Sequence, residues 1–279
     1  MRTAEQHRVS RSSASRFAAL VWTLAQRDLK ARYKGTLLGW LWSLIVPLAT
    51  LGLYSIVFGL IFRAQVEPFG NGRPSVYAVW LFLGLIVFNF FSNGLLRSTE
   101  SLRGLAGVLN RVRLPALAPI VAALVSVGLQ SLLEFGIFLV VLVAFANIGW
   151  TWLLLPLWAV LFLLFTAGIA AAVAVLAVHL QDIQHVLAVI LQFVFFATPI
   201  MYPLTMIPSG LGIDGVNLRT LLSLSPMAQF VEMARTLLYD LQPGTAPEWL
   251  VLTACSLVAA TTGVLVVKRF GADVAERLQ

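Results

Sequence analysis

Four cations stand close together early in the chain: Arg27, Lys30, Arg32 and Lys34. Arg27, Lys30 and Lys34 fall at i, i+3 and i+7, on one face of a helix, while Phe17, Leu20, Val21 and Leu24 mark another. Basic groups at this spacing hold anions, and beside a membrane each is worth about 1 kcal/mol against anionic lipid. They also orient neighbouring membrane spans, and the two readings are compatible.

Glu134 is a second candidate. It lies deep in an apolar run, one turn after Gln130. A carboxylate inside a membrane is costly and is functional by default; the structural alternative is a protonated acid bonded to Gln130 or to a neighbouring helix. Gly84, Gly94, Gly128, Gly136 and Gly168 permit close helix approach. His179, Asp182 and His185 carry metal-ligand chemistry, but on so short a polar turn they read better as protein contacts.

Several chemistries are excluded. A phosphate-binding P-loop needs Gly before its Lys, yet Leu29, Tyr33 and Val267 precede the three lysines. Arg8, Leu180 and Val186 follow the histidines, so there is no H-E-x-x-H zinc motif. No G-x-S-x-G elbow occurs. Cys255 is the single cysteine, so no intrachain disulfide forms. Any ATP-driven step needs a partner's ATPase.

The elements that position these residues are membrane helices. Of 279 residues, 59% are hydrophobic and 11% charged, and the mean hydropathy is +0.91. A soluble domain of this length cannot hide so much apolar surface. Continuous apolar runs, rather than alternation, mean helices and not a barrel. The expected fold is all-α and polytopic, with six spans: 36–62 with Pro47 inside it, 76–96, 116–145, 152–178, 186–201 and 249–267. An amphipathic interface helix precedes them, and a short amphipathic helix is expected within Arg97 to Pro115. The region from Tyr202 to Pro247 is too long for a turn and too polar to span. Ser225 and Pro226 read there as N-cap and first helical position. The helix they open has an apolar stripe including Met227, Phe230, Ala234 and Leu238, with Glu232, Arg235 and Asp240 opposite, so it lies in the interface or dips in and returns. The chain divides into a cytoplasmic arm (1–35), a transmembrane domain (36–267) and a cytoplasmic tail (268–279). Fifteen of the 19 basic residues lie on the side of both termini, which the positive-inside rule makes the cytoplasm. No signal peptide is apparent at Met1 to Ser15. The formal charge of +7 then belongs to lipid contact and orientation, not to nucleic acid.

The stretch from Arg27 to Trp42, Arg-Asp-Leu-Lys-Ala-Arg-Tyr-Lys-Gly-Thr-Leu-Leu-Gly-Trp-Leu-Trp, followed by Pro47, resembles the opening of ABC-2 type membrane subunits. The branch resembled exports polysaccharides and polyol-phosphate polymers, among them O-antigen, capsule, teichoic acid and galactan. Asn110 to Pro115 resembles that family's cytoplasmic loop, and Ser225-Pro226-Met227 its re-entrant outer segment. Gln181-Asp182-Ile183 departs from it, because Arg-Asp is common there.

The resemblance implies a channel-forming, non-enzymatic subunit in a bacterial inner membrane. It implies a homodimer with two copies of a nucleotide-binding ATPase, which holds ATP and Mg²⁺, while this chain binds no cofactor. The substrate implied is a lipid-linked glycan. Arg27, Lys30, Arg32 and Lys34 would meet its pyrophosphate at the entrance. The path would follow the first and fifth spans, lined by Trp40, Trp42, Tyr54 and Phe58, and by Phe193, Phe195, Phe196 and Tyr202. Aromatic faces suit sliding sugars, although aromatics also pack cores and anchor at interfaces. Coupling to the ATPase would involve Leu102, Arg103, Leu109, Arg111, Arg113, Gln181 and Asp182. Two other readings stand beside this one. An ABC-2 permease for a drug or lipid is disfavoured by the basic helix and the aromatic set. A membrane-embedded transferase predicts clustered acids or histidines within the spans, where only Glu134 occurs.

Overall fold

The computed structural model describes residues 13–33, 35, 37–104, 117–180, 182–208, 212–213 and 216–270. Among them the protein is helical, apart from one two-residue antiparallel ladder pairing Gly212–Ile213 with Val216–Asn217. The helices are α1 (Ser13–Tyr33), α2 (Trp42–Tyr54), α3 (Tyr77–Gly104), α4 (Leu117–Ala144), α5 (Leu155–His179), α6 (Ile183–Ala197), α7 (Leu218–Ser223), α8 (Pro226–Leu238) and α9 (Ala246–Phe270). A π-helical segment, Ser55–Ile61, prolongs α2.

Five helical stretches among the described residues are long and apolar enough to cross a membrane: Trp42–Ile61, Tyr77–Gly104, Leu117–Ala144, Trp150–His179 and Ala246–Phe270. The helical, multi-pass class expected from composition is what the chain adopts. The fifth expected span differs. α6 has 15 residues, which at ~1.5 Å each is about 22 Å, less than the ~30 Å hydrocarbon layer. It ends at Thr198-Pro199, where Pro199 cannot continue the hydrogen-bond ladder.

α3 is the hub. Every residue from Val79 to Phe88 is buried, because α4, α5 and α8 pack around it. α3 runs unbroken through Gly104, so Arg97 to Arg103 continue the same helix; the rest of the stretch in which a short amphipathic helix is expected, residues 105–116, lies outside the described set.

α1 docks through the apolar face read from the sequence. Val21 and Ala25 bury against Ala118 and Ala122 of α4, with Phe17, Leu20 and Leu24 flanking them. Arg27 and Lys30 remain exposed. Ser101 Oγ donates to the Pro119 carbonyl and joins the end of α3 to the start of α4 at this end of the bundle.

α5 and α9 touch backbone to backbone. A Cβ added to Gly168 would lie 2.2 Å from the Ala259 carbonyl oxygen, and one on Gly263 would lie 2.4 Å from the Gly168 oxygen. Ser256 Oγ, buried in the same seam, donates to the Leu161 carbonyl. Gly84 and Gly94 are also at close approaches, but Gly128 makes ordinary contact and Gly136 faces open space, contrary to the sequence expectation. Replacing Gly168 by Ala should therefore lower the thermal unfolding temperature by the equivalent of roughly 1–3 kcal/mol of overpacking. Gly136→Ala, assayed beside it in the same detergent, should leave stability unchanged or raise it.

Candidate functional site

α8 is the best-buried short helix, and its residues explain why. Ser225 adopts extended N-cap geometry and Pro226 fills the first helical position, as the sequence predicts. Pro226 lines a gap with Gly168, Ile169 and Ala172, midway along α5, so α8 begins deep in the bundle. Phe230 then packs between the tilted rings of Phe162 and Phe165, and its carbonyl accepts from Trp158 Nε1 at 3.1 Å.

The last turn of any helix leaves carbonyls without intrahelical partners. Here each finds a donor. Thr151 Oγ1 donates to Leu237 O at 2.6 Å. Asn147 Nδ2 donates to Leu238 O and Tyr239 O, at 2.8 and 2.9 Å. The Gly70 N–H also reaches Tyr239 O. The Tyr239 ring stacks on Phe69, and its hydroxyl donates to Glu67 O. The loop after α2, the turn after α4 and the end of α8 are thereby tied together.

Arg235 corrects a sequence expectation. Read as part of the polar face of α8, it is in fact 1% exposed. Nearly every face of α8 is covered, because α3, α5, α9 and the 150–154 turn pack on different sides. Arg235 Nη1 donates to Pro199 O at 2.8 Å and Nη2 to Ile200 O at 3.0 Å. Its guanidinium lies 3.3 Å from the centroid of the Trp80 ring. Gly84 makes room for it: a Cβ there would come within 2.8 Å of Nη2. Tyr77 donates its hydroxyl to Met201 O, fastening the same segment to α3. Burial pushes the Arg235 pKa down, opposed by Glu232, to about 10, so it stays charged at neutral pH. The sequence signal that would have found it was an arginine beside Ala234, inside a helix with few other charges.

The acidic neighbours respond. Burial, then Glu232 and Glu67, push the Asp240 carboxyl from an ordinary 3.8 up to about 7, with Arg235 pulling the other way.

The expected aromatic set is partly assembled. Tyr54 packs on Phe58 and Phe195, and Phe195 meets Phe88 of α3 and Phe196. Tyr202 donates to Phe196 O at 2.7 Å. Phe193 is 72% exposed and joins no ring contact among the described residues, while Trp42 lies exposed near the other end of α2. The Trp40 side chain is outside the described set. Phe88 belongs to this patch and escaped the sequence reading, because nothing distinguishes it from the other buried phenylalanines of α3.

At the α1 end, Arg27 and Asp28 share a cleft with Arg97, Glu100 and Ser101 of α3. Arg97 pairs with Glu100 at 2.9 Å, both largely exposed. Lys30 does not line this cleft; Lys34 and the Arg32 side chain are not described. Arg103 Nη1 donates to Gln184 at 2.7 Å, joining α3 to the start of α6 two residues beyond Asp182. Leu102 is fully buried and packs the core, so it presents no surface to another subunit. Leu109, Arg111, Arg113 and Gln181 lie outside the described residues. His179 packs edge-on against Phe270, with Nδ1 3.0 Å from Val175 O. Among the described residues no three His, Cys, Asp or Glu side chains converge as a metal site. Glu134 is buried and accepts from Gln130 at 3.4 Å, the partner expected from the sequence.

Long apolar helices, a basic docked helix at one end and a helix sunk into the other define a multi-pass membrane protein. The profile of the ABC-2 type transporter family matches residues 19–239. The chain belongs to that family.

Three relatives are informative. The chain is 28% identical to the O-antigen export system permease protein RfbA of Myxococcus xanthus over 245 residues, covering 87% of this chain and 88% of that one. It is 27% identical to the Klebsiella pneumoniae protein of the same name, over 68% of this chain and 71% of that one. It is 26% identical to the polysialic acid transport protein KpsM of Escherichia coli, over 77% and 79% respectively.

Two outcomes follow from this geometry. Arg235→Gln should cost roughly 2–4 kcal/mol by stranding the Pro199 and Ile200 carbonyls, read as earlier unfolding in a thermal shift assay. The raised Asp240 pKa means the folded state holds its proton more tightly than the unfolded chain. Stability should thus be highest at acid pH and fall as pH rises from about 4 through about 7. Asp240→Asn should flatten that slope.

Proposed function

We propose that this chain is the membrane subunit of an ATP-driven exporter of a lipid-linked polysaccharide, working as a homodimer with two copies of a separate ATPase. The observation that carries the reading is similarity to O-antigen export permeases over nearly the full length of both proteins. The named relatives handle different polymers, so the class proposed is glycan, not one glycan.

In this reading α6, with the 198–201 segment, supplies the sixth crossing, and both termini are cytoplasmic in the bacterial inner membrane. α7 and α8 form the re-entrant outer segment, which fits a helix that begins beside the middle of α5 and ends at a surface turn. The translocation path lies between two copies along α2 and α6. Support comes from α2, where only Ser43 and Pro47 are buried, and from the exposed rings of Trp42, Phe193 and Phe196. Such a surface faces lipid or another protein. The cleft of Arg27 and Arg97 receives the lipid pyrophosphate, with Lys30, Arg32 and Lys34 supplying further positive charge. Arg103 and the 181–184 turn carry motion from the ATPase into α3 and α6.

The test is co-purification with the ATPase encoded beside it, reconstitution in vesicles, and measurement of ATP-dependent glycan movement. Arg27→Gln with Lys30→Gln should slow export severalfold while leaving insertion and ATPase assembly intact. ATP hydrolysis by this chain alone, or a drug or lipid as the only transported species, would overturn the reading.

A further inference from the structure

The stretch that prolongs α2 is wound differently from the rest of the span. From Ser55 to Ile61 the backbone is π-helical, and the Phe62 N–H reaches back five residues to the Val57 carbonyl at 2.9 Å. The Phe58 carbonyl, its partner in an α-helix, accepts from the Ala64 N–H instead. π turns are rare, and they hold one residue more than the α winding they replace. Ser55 Oγ, where the winding changes, is buried without a hydrogen-bond partner among the described residues, which costs stability.

A neighbour holds this winding in place. Tyr77 of α3 lays its ring against Gly59, where an added Cβ would lie 3.2 Å from Cδ1, and its hydroxyl donates to the Met201 carbonyl beyond α6. One tyrosine therefore touches the continuation of α2 and the end of α6 together. Past the π segment the chain is anchored: Ala64 and Phe69 are buried, and the Gly70 N–H is bonded to Tyr239 O. On the near side α2 is loose. Of its 13 residues only Ser43 and Pro47 are buried. It follows α1 through Gly35 and Gly39, both at positive φ with open space around them. A rod with a glycine swivel at one end and a surplus residue at the other is free to turn about its own axis.

We propose that α2 has two registers, with residues 55–61 wound as π or as α. It turns by about 100° between them, the angle of one residue in a 3.6-residue turn. In the π register of this structure Tyr54 lies against Phe195, with ring centroids 6.0 Å apart. In the α register the surplus residue is taken into ordinary turns, α2 rotates beneath the anchored loop, and Tyr54 leaves Phe195. Tyr77 sets the balance, because its ring fits only while Gly59 faces it. That this turn gates a polymer path rests on the export reading; the existence of two registers does not.

The test uses the full-length chain in lipid nanodiscs, with Cys255→Ser removing the native thiol. Leu53→Cys on α2 and Leu153→Cys in the turn before α5, both exposed, carry spin labels. Unlabelled chain is mixed in so that each pair reports on one protomer. A side chain about 5 Å from the helix axis swings by roughly 8 Å when turned through about 100°. Double electron–electron resonance resolves such a change. Gly59→Ala, which crowds Tyr77 and favours α winding, should raise the population at the shifted distance severalfold. Tyr77→Phe, which frees the ring from Met201, should raise it about fivefold, the effect of one hydrogen bond. Deleting the exposed Leu60 removes the surplus residue, so it should hold the parent distance and abolish the response to Tyr77→Phe. The proposal is wrong if the parent, Gly59→Ala and Tyr77→Phe share one distance, or if the deletion variant still responds. Should the deletion fail to insert, the two point variants decide alone. With the ATPase bound, a non-hydrolysable ATP analogue should redistribute the two distances in the parent. Two distances indifferent to nucleotide remove the gating role; a response without glycan export removes the export reading alone.

Discussion

A positive charge sealed inside an apolar bundle must be answered by the protein itself. Removing an ion from water costs several kcal/mol even after relaxation. Arg235 is answered by two carbonyls and an indole face, and these come from different elements. The carbonyls belong to Pro199 and Ile200, just after α6; the indole belongs to α3; the arginine belongs to α8. One side chain thus fixes where the chain leaves α6, how deep α8 sits and which face of α3 it covers. Thr151, Asn147 and Gly70 complete the job by capping the last turn of the same helix. In a medium with little water, backbone groups outside regular helices survive only with partners of this sort.

Much of the fold was legible from residue types. Apolar run lengths gave the helical membrane class, and Ser225-Pro226 marked the start of α8. Phe17, Leu20, Val21 and Leu24 marked the side of α1 that meets protein. What escaped was tertiary in origin. The period of α8 separates Glu232, Arg235 and Asp240 from its apolar stripe, yet periodicity cannot say whether a second layer covers the polar side. Here it does, because Gly84 leaves a hollow in α3 that only a guanidinium of that reach fills. The bounds of α6 are displaced for a related reason: Val186 to Met201 reads as one apolar stretch, but the helix runs from Ile183 to Ala197 and Pro199 cannot continue its ladder. Of the candidate site, the link of Arg103 to the start of α6 and the Glu134–Gln130 pair emerged as close neighbours. Phe195 and Phe196 fall in different surroundings, since one residue along a helix turns a ring from packing to exposure.

The two ends of the molecule are built on opposite physical terms. At the α1 end, small residues bring α1 onto α4, and hydrogen bonds from Ser101 to Pro119 and from Arg103 to Gln184 join α3 to its neighbours. Single hydrogen bonds of that kind are individually weak, about 1 kcal/mol each. At the other end the contacts are buried, stacked and fully capped. Motion delivered at the α1 end meets a compliant joint first and a stiff one last.

The shortness of α6 carries a consequence for the surrounding lipid. In the proposed arrangement α6 crosses the membrane, and a crossing about 22 Å long cannot match a ~30 Å hydrocarbon slab without tilt, local thinning or help from non-helical chain. Lipid acyl length thereby becomes a mechanical variable for this protein. In bilayers of longer acyl chains, hydrophobic mismatch loads the Thr198-to-Met201 segment, which Arg235 and Tyr77 hold. The same membrane composition that sets thickness then sets the tension on that fastening.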